Sequence, residues 1–166
     1  SDLSDDAFAS LVNQQSFESL CLMRTRLSSR SWPLLASLSC GGLEIESPEI
    51  DPTIARHIPN TVEILELRGG TLSDEAVREL ASSHRSTVEI RARGLTVESA
   101  RHLAASKINY LTLYDAQAVD DAWAVELNKR RFRELKLINS RMTDDGVRQL
   151  CVDCSLALPG SRITDA

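Results

Sequence analysis

The feature that most constrains this chain is a spacing. A triplet of the form apolar-x-apolar returns as Leu20-Cys21-Leu22, Leu43-Glu44-Ile45, Leu65-Glu66-Leu67, Val88-Glu89-Ile90, Leu111-Thr112-Leu113, Leu135-Lys136-Leu137 and Leu156-Ala157-Leu158, and the first residues stand 21 to 24 positions apart. Seven positions after each first residue comes another apolar side chain, Leu27, Ile50, Leu72, Leu95, Met142 or Ile163, with Val119 one place late in the longest unit. The next residue is in every case one whose short polar side chain suits a helix N-cap: Ser28, Asp51, Ser73, Thr96, Asp120, Thr143 and Thr164. The segments that follow, such as DEAVRELA (74 to 81) and VESARHLA (97 to 104), carry apolar residues at helical intervals. Each unit therefore reads as a short strand, a turn and a helix. A unit of this size cannot bury its apolar face alone, so neighbouring units must stack.

Units of this length and order resemble leucine-rich repeats, whose pattern is L-x-x-L-x-L-x-x-N/C-x-L. The stretch LKLINSRMTDDGVRQLCVDCSL (135 to 156) is most similar to the cysteine-containing, ribonuclease-inhibitor-like repeats of F-box substrate receptors and related bacterial repeat proteins. The resemblance spans essentially all 166 residues. It implies one α/β domain, residues 1 to 166: a right-handed solenoid of about seven repeats, incomplete at both ends, with parallel strands on the concave face and helices on the convex face. One position departs from the family. Its asparagine or cysteine, which bonds the backbone between neighbouring turns, is replaced here by Thr25, Pro48, Gly70, Arg93, Ala116, Ser140 and Ser161. Hydroxyls, backbone groups or water are expected to hold those turns instead.

Composition narrows the partner. A net charge of -5 and a pI near 5.2 argue against nucleic acid or an anionic membrane, both of which need a basic surface. No stretch approaches the ~20 uncharged apolar residues of a membrane span. Four cysteines, Cys21, Cys40, Cys151 and Cys154, are too irregularly placed for a disulfide framework, so reduced thiols in the cytoplasm are expected. Cys151 and Cys154 form a C-x-x-C half-site without a second ligand pair. Small buried side chains account for them as well as for Cys40; a thiol or metal site is the enzyme-class alternative. His57 and His102 share a helix position, and His84 falls in a loop, with no motif partnering them to a nucleophile. A glycine-rich phosphate loop and H-E-x-x-H are both missing, so neither catalysis nor a cofactor is expected.

Strand alternation sorts the side chains. With the triplet leucines inward, positions -1, +1 and +3 relative to each first residue face outward. Three consecutive strands then bring Glu44, Glu66 and Glu89 side by side. Like charges ~4.8 Å apart repel by roughly 1 kcal/mol in water, so the stripe needs relief. Two sources are open: a basic or amide-rich protein or peptide segment anchored beside Tyr110, Tyr114 and Ile138, or internal pairing with Arg68 and Arg91. On the helices, Arg56, Arg78, Arg101 and Arg148 form a second ladder. Glu75, Glu98 and Asp145, three residues before Arg78, Arg101 and Arg148, point to ordinary surface pairs. A non-enzymatic protein- or peptide-binding module follows. The alternative is the substrate-recognition fragment of a larger ubiquitin-ligase adaptor, which would need an F-box that residues 1 to 18 do not supply. Leu156, Leu158 and Ile163 are further expected to form an apolar edge, covered by additional repeats, a second copy or a tail.

Overall fold

The computed structural model describes residues 3 to 161 except residues 15, 24, 26 and 151 to 154. The strands are β1 (Ser16–Leu22), β2 (Ser39–Ile50), β3 (Ile64–Leu72), β4 (Thr87–Arg93), β5 (Tyr110–Leu113), β6 (Glu134–Leu137) and β7 (Ser155–Ala157). They form one all-parallel sheet in the order β1-β2-β3-β4-β5-β6-β7, so each strand pairs with its neighbours in sequence. The α-helices are α1 (Asp5–Gln14), α2 (Pro52–His57), α3 (Asp74–Ala81), α4 (Val97–Ala105), α5 (Asp121–Leu127) and α6 (Asp144–Gln149). Each of α2 to α5 packs on the next helix of the chain.

Register follows the triplets. Leu20, Leu43, Leu65, Val88, Leu111, Leu135 and Leu156 are successive Cα partners across the sheet. A one-residue slip would turn every triplet inside out, so the apolar alternation itself enforces this alignment. Leu43, Ile45, Leu65, Leu67, Val88, Ile90, Leu111, Leu113, Leu135 and Leu137 are buried in one continuous core with Ile54, Val77, Leu80, Leu103, Trp123 and Leu127 from the helices. Burying each such side chain contributes about 1.5–3 kcal/mol. The seventh-position residues Ile50, Leu72, Leu95, Val119 and Met142 join the same core. Helices thus cover one face of the sheet, and the other stays open.

The expected N-caps hold at four positions. Asp51, Ser73, Thr96 and Asp120 accept bonds from the amides of Ile54, Ala76, Glu98 and Ala122. Thr143 occupies the cap of α6 without bonding its own helix; its hydroxyl and amide both donate to Asp121. Ser28 caps no helix. It donates from amide and hydroxyl to the Asp5 carboxylate, and a 3-10 helix, Trp32–Ser37, follows four residues later. Pro33 removes a backbone donor there, and Ser28, Ser29 and Ser31 compete for backbone groups, so the segment before β2 closes as tight turns. That 3-10 helix packs between α1 and α2 in the row. Thr164 and Ile163 lie outside the described residues.

Backbone and hydroxyl contacts hold the turns that follow the strands. Between β2 and β3 the strands continue past the turn position, pairing Glu49 with Thr71 and Ile50 with Leu72. That continuation brings the backbones so close that a Cβ on Gly70 would stand 1.5 Å from the Pro48 carbonyl oxygen. Further along, the Ser140 and Ser161 hydroxyls meet at 2.5 Å. Hydroxyl and backbone contacts therefore take the role, as expected, and the helix ends add a third set. Asp5, Asp74 and Asp121 each accept from the hydroxyl one repeat later, on Ser28, Thr96 and Thr143.

Candidate functional site

The open face carries the +1 row Cys21, Glu44, Glu66, Glu89, Thr112, Lys136 and Ala157 as Cα partners. Glu44, Glu66 and Glu89 thus stand side by side as the alternation predicts. Arg68 reaches back over two of them, its Nε 2.9 Å from Glu44 Oε1 and 2.6 Å from Glu66 Oε1. The Cys21 thiol donates to Glu44 Oε2 at 3.1 Å; burial, the Glu44 bond and the Glu44 charge push it up to about 11.

Of the two sources left open for Glu89, internal pairing with Arg91 does not occur. Arg91 forms no ion pair with it; the guanidinium lies over the Tyr114 ring, 4.6 Å from its centroid. The Tyr114 hydroxyl donates to Glu89 at 2.8 Å, and that bond holds the phenol above its ordinary pKa. Tyr114 is therefore a half-buried polar link rather than an apolar anchor. An aromatic ring two residues along the next strand can take either role, and which partner it meets depends on side-chain packing that the spacing does not show. Ile138 is half-buried beyond the end of β6, where its amide donates to Leu113. Thr112 is buried between its neighbours despite its outward position.

What remains uncovered is apolar at one end of the strands and basic at the other. Ile64 is 54% exposed and Tyr110 37%, both at position -1 and both paired with Thr87, so they flank one strand. Met23, at the +3 position of the first repeat, is also exposed. Ile64 was not singled out by the spacing, though isoleucine at an outward strand position was the available signal. At the opposite end a cleft of about 780 Å³ opens beside Gly69, Gly70 and Thr71, with Arg91, Arg93, Asp115 and Gln117 around it. The register shifts between Arg68 and Thr71, and Gly69 has φ 122°, so two residues without side chains form the floor.

The helix face is electrically closed. Arg78 pairs with Glu75, Arg101 with Glu98 and Arg148 with Asp145, as their spacing predicts, and Arg56 and Arg101 also reach Glu79 and Glu126 of the next helix. His57 bonds the Thr53 carbonyl, His102 lies 3.8 Å from Glu98, and His84 meets Lys107. Among the described residues no three His, Cys, Asp or Glu side chains gather as a metal site. Cys40 is free and buried, and Cys21 free and exposed. Cys151 and Cys154 lie outside the described residues. Among the described residues no helix is long and apolar enough to cross a membrane.

No protein-family model and no curated protein sequence matches the chain.

Proposed function

We propose that this chain is a protein- or peptide-binding module: a right-handed, leucine-rich-repeat-like solenoid that offers its open strand face, the concave one, to a partner, without catalysis or a cofactor. The sequential all-parallel sheet with helices in each crossover supports that architecture, since such crossovers are right-handed in ~98% of cases. The observation that carries the binding reading is the distribution of exposed large apolar side chains. Met23, Ile64 and Tyr110 project from the strand face, whereas Val125 is their counterpart on the helices. Uncovered isoleucine and tyrosine rimmed by polar groups are what a recognition surface uses. Glu44 and Glu66, already shared with Arg68, act in this reading as positioning groups for that arginine.

Site-specific photocrosslinkers test the face. Placed at Ile64 or Tyr110, they should capture the same partner from host extract, and the purified partner should bind the unlabelled protein. Placed at Val125 or Arg78, they should not. Capture confined to the helix positions would overturn the proposal.

A further inference from the structure

The charges of the open face do not cancel where they first promised to. Glu44 and Glu66 are taken by Arg68, and Glu89 by the Tyr114 hydroxyl. Arg91 has only the face of the Tyr114 ring, and Arg93 meets no carboxylate, hydroxyl or carbonyl among the described residues. Both side chains are exposed, and both leave β4 on the same face, two residues apart. Two residues along a strand is ~7 Å, close enough for both guanidiniums to reach one carboxylate, and close enough to repel each other without it. They stand on the cleft of about 780 Å³, a size suited to a side chain or short segment rather than to bulk solvent alone. Asp115 is the acid on that cleft. It is engaged by the Asn139 amide at 3.3 Å, while Gln117 donates to the Asn139 carbonyl. Two cations against one occupied acid leave the cleft net positive on a chain whose overall charge is -5.

We infer that the cleft at the C-terminal ends of β3 to β5 binds an acidic side chain of a peptide partner, a carboxylate held between Arg91 and Arg93. This rests on the open-face reading and specifies its partner: an acidic segment, the reverse of the basic one that the glutamate row invites. Guanidiniums bind carboxylates through paired, directional hydrogen bonds. A bulge beside Gly69 and Gly70, which themselves pack against the β2 backbone at Ser47 and Pro48, aims the flanking side chains at the cleft. Ile64 and Tyr110, level with Thr87 and so four residues before Arg91 and six before Arg93, would take an apolar residue of the same segment.

The probe is hexaglutamate, with hexalysine and inorganic phosphate as comparators, read by NMR at low ionic strength. Hexaglutamate should saturably shift the Nε–Hε signals of Arg91 and Arg93 and the amides of Gly69 to Thr71. Combined Arg91→Gln and Arg93→Gln should weaken it by about tenfold or more, while Arg78→Gln with Arg101→Gln should leave it unchanged. Both pairs are exposed, and circular dichroism is to check that each variant is folded. No saturable shift at Arg91 and Arg93, equal binding of hexalysine, or phosphate alone binding as tightly as the peptide would each overturn the inference. If hexaglutamate fails while crosslinks from Tyr110 still capture a partner, the acidic specificity falls and the open-face reading stands.

Discussion

Arg85 is the residue whose role the spacing concealed. It is 1% exposed and forms no ion pair among the described residues. Its guanidinium donates to the carbonyls of Leu80 (3.2 Å) and Ile58 (2.7 Å) and to the Ser83 hydroxyl. Leu80 lies in the last turn of α3, where free carbonyls gather negative partial charge, and Ile58 belongs to the preceding repeat. Burial pulls the guanidinium down to about 10, which still leaves it charged at neutral pH. Arg85→Met would orphan carbonyls from two repeats, so it should cost about 2–4 kcal/mol in urea unfolding. Arg130, which donates to Ile108 from both Nε and Nη2 but is less buried, should cost about 1 kcal/mol when changed to Met. Cys21 is the second residue-scale case. With its thiol at about 11, iodoacetamide at pH 8 should label it roughly a hundredfold more slowly than a free thiol, and Glu44→Gln should speed the reaction. Equal rates in the two proteins would show that Glu44 does not hold the thiol.

At the scale of elements, the helix starts are cross-linked. Asp121 is held below the ordinary aspartate value of 3.8 by the Thr143 hydroxyl and amide. For Asp74 burial is the largest influence and raises the pKa, but the bonds from Ser99 and Thr96 together outweigh it and the net effect is a lowering. Asp5 is lowered chiefly by the Ser28 hydroxyl. A depressed folded pKa means the stabilisation is complete above the unfolded value and is lost as pH falls through the folded one. The unfolding midpoint should therefore drop as pH falls below about 4, and Asp74→Asn with Asp121→Asn should flatten that dependence. Gly70→Ala belongs to the same scale. The added Cβ would collide with backbone on β2, which cannot rotate away, so the paired ends of β2 and β3 must part. Circular dichroism should show a strongly destabilised or unfolded protein.

Across the whole molecule, the extensive contacts join elements that are neighbours in the sheet or in the row of helices. Stability is then close to a sum of local and nearest-neighbour terms. Central strands are held from both sides, while β1 and β7 each have one partner among the described residues. Hydrogen exchange should accordingly be slowest at Leu65, Leu67, Val88, Ile90, Leu111 and Leu113 and fastest in β1 and β7, with Arg85→Met accelerating β3 and β4 first. Uniform acceleration of all strands by that change would show instead that the sheet opens as one unit.

Which of these features could be read beforehand depends on whether a short-range rule controls them. The strand positions, their register, the inward leucines and four of the N-caps follow from period-two alternation and local hydrogen bonding, and those operate within a few residues. The i, i+3 pairs of the helix face are local in the same way. The α-helix expected after Ser28 gives way to a 3-10 helix because Ser28 bonds to Asp5, 23 residues earlier, an interaction that local capping rules do not contain. Glu89 and Arg91 share a strand, and their pairing was one of two sources of relief left open, but Tyr114, just past β5, takes both: its hydroxyl bonds Glu89 and its ring lies under Arg91. No spacing rule singles out Arg85, because the carbonyls of Ile58 and Leu80 that it bonds converge on it only in the folded chain. The chain by itself determined the order and phase of the sheet, because apolar burial allows one alternation and no other. Which charges on its open face are spent and which are left for a partner was decided only in three dimensions, because Glu44 and Glu89 meet groups 23 to 25 residues away that stacking brings within hydrogen-bonding distance.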